Sequence, residues 1–151
     1  MSRLSERTKR LQRLTKLREN AEKIAAQNFA QVLQEQRVHA NQVSELKQYR
    51  QEYANAIAQP STESIQGFHL TQVQGFVTHM DRLIQALDER TIEIDNRKNA
   101  HQKNWANKLR EAKTMAHITD ECRRQAEQAL QSLADAQIDD LGHRAQGVDS
   151  E

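Results

Sequence analysis

From Leu4 onward, apolar side chains return at every seventh residue. Leu4, Leu11, Ala25, Val32, Leu46 and Tyr53 form one column, interrupted by Arg18 and His39. A second column, three residues further on, holds Arg7, Leu14, Ala21, Asn28, Glu35, Gln42, Tyr49 and Ala56. Leu17, Ile24, Val38 and Val43 stand beside these columns and widen the stripe. This spacing predicts a helix lying on a neighbour. Ala, Leu, Gln, Glu, Lys and Arg dominate the segment and favour the same conformation. A second stripe follows. One column runs Val73, Met80, Leu87, Ile94, His101, Lys108, Met115, Cys122, Ala129 and Ala136. Its companion runs Val77, Ile84, Thr91, Lys98, Trp105, Ala112, Thr119, Ala126 and Leu133.

Helix breakers fall between the two stripes. Pro60 is the only proline, no glycine precedes Gly67, and none lies between Gly75 and Gly142. Residues 58–70 read AQPSTESIQGFHL, which is turn chemistry. Thr71 with Gln74 has the spacing of a capping box for the second helix. The expected chain is a single domain: a helix over about 3–58, a loop over about 59–70, a helix over about 71–137 and a disordered tail over about 138–151. A connection this short lets the helices lie antiparallel, with residue i opposite roughly residue 127 − i. The fold class is therefore all-α, a long antiparallel two-helix coiled-coil hairpin. Charge agrees with the fold-back. Residues 1–23 carry eight basic and three acidic residues, and residues 120–151 carry eight acidic and three basic ones. Antiparallel pairing brings those opposite charges to one end.

Composition narrows the function. Hydrophobic residues make up 36% of the chain and aromatic residues 4%, against roughly 45–50% apolar in a compact domain. That suffices for a narrow seam between helices and not for a thick core. Whole-chain disorder is disfavoured by a net charge of +1 with one proline and four glycines. A single cysteine, Cys122, leaves no internal disulfide and fits a reducing compartment. No apolar run suggests a signal peptide or a membrane span, so a cytoplasmic protein is expected.

The six histidines make no HxxxH or HExxH pair, and there is no glycine-rich phosphate loop. No enzyme activity, metal or cofactor is expected. Acidic residues interrupt the basic start, so no nucleic-acid footprint is expected. Asn28, Glu35, His39, Gln42, Lys98 and His101 put polar groups in mid-seam, which reads either as a loosely packed, exposed seam or as a soft rod whose register is specified at a cost in stability. Phe68, Phe76, Val77, Met80, Leu83 and Ile84 concentrate apolar weight after the turn. Phe76 and Leu83 are either seam-edge residues or a partner site.

Three stretches carry a family resemblance. Leu46-Lys-Gln-Tyr49-Arg-Gln-Glu-Tyr53 closes the first helix, and Gln74-Gly-Phe76-Val-Thr-His-Met80-Asp-Arg-Leu83-Ile opens the second. Lys103-Asn104-Trp105 with Lys108-Leu109 follows in mid-helix. Together they resemble the FliJ family of flagellar type III export proteins over nearly the whole chain. The resemblance implies an antiparallel coiled coil similar to the stalk of rotary ATPases. Its open end, with Arg7, Arg10, Leu11 and Leu14, would enter the hexameric ring of the export ATPase. Its turn-side patch, Phe76, Met80 and Leu83, would contact the cytoplasmic domain of the export gate. Export chaperones are further implied partners. The free chain would be a monomer, held at the cytoplasmic face of the inner membrane only through its partners. A stalk protein of a virulence injectisome, or a scaffold coiled coil that dimerises through its own stripe, remain alternatives.

Overall fold

The structure, a computed structural model, describes residues 3–58 and 66–148, and side chains over 3–56 and 69–148. Two helices account for them: α1, Arg3–Ala58, and α2, Gln66–Val148. They pack against each other as an antiparallel hairpin, and no strand occurs among the described residues. The hairpin comprises two compact units, one of residues 1–24 with 105–151 and one of residues 25–104. In the first, Thr8 meets Cys122, Thr15 meets Thr119 and Glu22 meets Trp105. In the second, Gln36 meets Asp95, His39 meets Thr91 and Arg50 meets Asp81. In both, numbers rise along α1 as they fall along α2. The spacing expectation set Arg50 opposite Val77. The observed partner, Asp81, lies about one helical turn further on.

Both columns of α2 meet α1 as the heptads predict: no residue in them from Val73 to Ala129 is exposed. On α1 the first column also holds, apart from exposed Arg18. The second column does not. Arg7, Leu14, Asn28, Gln42, Tyr49 and Ala56 are exposed, and the seam is completed by the next residues along: Thr8, Thr15, Glu22, Phe29, Gln36, Val43 and Arg50. Both choices repeat every seven residues, and the rejected one looks more apolar. In the column that faces α2, Phe29 and Val43 are apolar, and the polar members Thr8, Thr15, Glu22, Gln36 and Arg50 bond across the seam.

Those bonds are specific. The Thr15 and Thr119 hydroxyls lie 2.7 Å apart, and each also reaches a backbone carbonyl, at Leu11 and Met115 respectively, at 2.8 Å. With one proton each, one hydroxyl donates to the other and the second donates to a carbonyl. Trp105 Nε1 donates to Glu22 Oε1 at 2.8 Å. Gln36 Nε2 donates to Asp95 Oδ1 at 2.7 Å. His39 is buried, and its Nε2 lies 2.8 Å from the Leu87 carbonyl. A carbonyl only accepts, so Nε2 carries the proton. Of the polar residues expected in mid-seam, His39 is buried, Glu35, Lys98 and His101 are half-buried, and Asn28 and Gln42 are exposed. Among the described residues, no buried side-chain nitrogen or oxygen lacks a hydrogen-bond partner. Between the polar pairs, Ala25, Val32, Val43, Val73, Met80 and Ile94 supply the apolar contacts of the second unit, and Ala112 and Cys122 those of the first.

The ends of α2 differ from expectation. It begins at Gln66, so Thr71 and Gln74 lie inside the helix and form no cap. The remainder of the expected loop, residues 59–65 with Pro60, lies outside the described residues. α2 also continues to Val148, where a disordered tail from about residue 138 was expected. Gly142 and Gly147 sit within it. Glycine costs about 1 kcal/mol relative to alanine in a helix but keeps its N–H, so it weakens the ladder without cutting it as proline does.

Candidate partner-binding faces

The second unit carries an aromatic group where α1 ends and α2 begins. Tyr49 and Tyr53, four residues apart on α1, have ring centroids 6.2 Å apart. Tyr53 meets the Phe76 ring of α2 at 4.8 Å, tilted by 45°. Next to this contact the Arg50 guanidinium forks onto Asp81: Nε donates to Oδ1, and Nη2 to Oδ2 at 3.3 Å. Hydrogen bonding to Asp81, with its negative charge, raises the guanidinium above its usual pKa.

Phe76, Met80 and Leu83 do not share one accessible face. Met80 is 2% exposed and fills the seam, whereas Phe76 is 39% and Leu83 43% exposed. Met80 occupies a seam column, and its unbranched side chain packs into the gap facing α1. What the surface offers is Phe76 and Leu83, with Tyr49 (52% exposed) as a further apolar member. Its heptad position places Tyr49 in the seam, yet it is exposed. Its four-residue spacing from Tyr53 was the signal that the two rings form one group.

In the first unit, Arg7, Arg10 and Leu14 are exposed on one face of α1, at spacings of three and four residues. Leu11 is half-buried in the seam, where its carbonyl lies 2.8 Å from the Thr15 hydroxyl, so it supports this face from beneath. Leu17 and Ile24, both more than half exposed, prolong the face. On the other side of the seam, Leu4, Thr8 and Gln12 of α1 and Ala126, Leu130 and Leu133 of α2 border a groove of about 330 Å³. Among the described residues, no cluster of His, Cys, Asp and Glu is placed to hold a metal, and no helix is long and apolar enough to cross a membrane.

The family model of the flagellar FliJ protein matches residues 8–147. The chain belongs to the FliJ family. It is therefore a protein associated with flagellar type III export, and the family is a non-catalytic component of that apparatus. The match takes in Phe76, Leu83, Tyr49 and Leu14, and starts one residue after Arg7. It also includes almost all of α2 beyond Leu133, so the extended helix is part of the family region. Against individual proteins, neither the curated sequences nor the solved structures give a match.

Proposed function

We propose that this protein is a non-enzymatic, stalk-like coiled coil of the flagellar export apparatus, acting in the cytoplasm and reaching the inner membrane only through its partners. Its open-end face, Arg7, Arg10 and Leu14 supported by Leu11, binds the hexameric export ATPase. Its turn-side face, Phe76 and Leu83 with Tyr49, meets the cytoplasmic domain of the export gate. The same hairpin binds export chaperones. The family match over residues 8–147 carries this reading. The exposed apolar residues support it, because apolar groups left in water on a two-helix seam usually mark contacts. A seam this narrow encloses no site in which to concentrate catalytic groups. The protein should therefore act by coupling other components.

The test is to add the purified chain to the export ATPase of the same organism and follow ring assembly and ATP turnover. Both are expected to rise, with no turnover by the chain alone. Confirmed binding with neither quantity changed would remove the stalk reading.

A further inference from the structure

The two units are held by different chemistry. In the first, no side chain of α1 from Arg3 to Ile24 is buried, and the α2 segment buries only Ala112, Thr119 and Cys122. The larger apolar residues at or beside its seam, Leu4, Leu11, Leu109 and Met115, are half-buried. The second unit buries Val32, Val43, Val73, Met80 and Ile94, and Met80 and Ile94 are the largest fully buried side chains among the described residues.

Polar pairs cross the seam in both units, so they do not distinguish them. In the first unit the pairs are Thr8 with Cys122, Thr15 with Thr119, Arg18 with Glu111 and Glu22 with Trp105. A hydrogen-bonding group released from such a pair finds water in place of its partner, so each pair opposes opening only weakly. A buried Val, Met or Ile finds no such replacement, and resists opening in proportion to the apolar area uncovered. The second unit has that resistance in addition to its polar pairs. The first has little of it.

We propose that the first unit is a clasp that opens and recloses on its own: α1 up to residue 24 parts from α2 beyond residue 105 while the seam of the second unit stays packed. Opening breaks the four polar pairs and uncovers the inward sides of Leu4, Leu11, Ala112 and Met115. A partner that binds those sides would draw out the open form by its difference in affinity for the two states. This inference does not depend on the role in export.

Thiol labelling of the full chain tests it. Cys122 is the only cysteine and is buried in the first unit, so alkylation of its thiol reports opening there. Val32→Cys in a Cys122→Ser chain places the same probe in the second unit. Each is labelled with iodoacetamide, followed by mass analysis, and its rate is divided by that of the same thiol in the urea-unfolded chain. Cys122 should label at least tenfold faster than the thiol at position 32. Its rate should also climb less steeply with low urea, because less surface is uncovered. Glu22→Ala, which takes the acceptor from Trp105 in the first unit, should speed both probes about fivefold, since global unfolding includes opening of the clasp. Val73→Ala, in the second unit, should speed only the probe at position 32. Equal normalised rates and urea slopes, or a Val73→Ala effect shared by both probes, would mean that the seam opens only as a whole and would overturn the proposal. A fast Cys122 rate that Glu22→Ala leaves unchanged overturns it too, because the thiol would then react without any opening.

Discussion

The hydroxyls of Thr15 and Thr119 touch across the seam, 2.7 Å apart, although 104 residues separate them in sequence. This contact fixes the register of the first unit more sharply than any apolar pair there, because a slide of one turn would leave both hydroxyls facing the wrong neighbours. Cysteines at these two positions, in a Cys122→Ser background, should form a disulfide within one molecule. Mass analysis after mild oxidation checks it. Crosslinks only between molecules would mean that the helices do not fold back on each other.

Met80 and Leu14 both occupy positions that a heptad reading assigns to the seam, yet the structure buries one and exposes the other at 43%. Met80→Ala should lower the unfolding free energy by about 2–5 kcal/mol, because it empties a filled site. Leu14→Ala should change it by no more than about 0.5 kcal/mol. Urea denaturation of the two variants measures the difference. Equal losses would return Leu14 to the seam and undo the one-residue shift of the α1 column.

Phe76 combines an exposed edge with a packed face. Phe76→Ala should cost about 0.5–1.5 kcal/mol through the lost contact with Tyr53, while binding to the isolated gate domain falls at least tenfold. Stability comes from thermal unfolding and binding from titration calorimetry. Full binding by a clearly destabilised variant would assign Phe76 to packing alone and leave the turn-side face without its anchor.

Trp105 is the only tryptophan, and its indole N–H is held by Glu22. Glu22→Ala removes the acceptor and opens the indole to water. The emission maximum should move to longer wavelength, and stability should fall by about 1 kcal/mol. An unchanged spectrum would mean that the Trp105–Glu22 bond does not persist in solution.

Residues 25–104 show how differently the two helices announce their seams. On α2 the buried positions are the apolar ones, Val73, Met80 and Ile94, so the spacing alone locates them. On α1 the inward column alternates apolar Phe29 and Val43 with polar Gln36 and Arg50, and the polar two carry no hydrophobic signal. Only the partners Asp95 and Asp81, brought alongside by folding, show why they face inward. Tyr49 departs from its heptad position for a related reason. It is apolar and heptad-spaced, but it lies one position off the side that α2 covers.

The chain by itself determined two helices, their antiparallel sense and the α2 stripe, because helix propensity, breakers and apolar period are local properties written residue by residue. It also carried the family resemblance, which the match over residues 8–147 bears out. The tertiary structure decided the rest: which of two equally periodic α1 columns turns inward, that Met80 is hidden while Phe76 and Leu83 stay open, and how far α2 extends beyond α1. These depend on the rotation and sliding of one helix against the other. That setting is chosen by the sum of contacts across the seam, and no single helix contains those contacts in its own sequence.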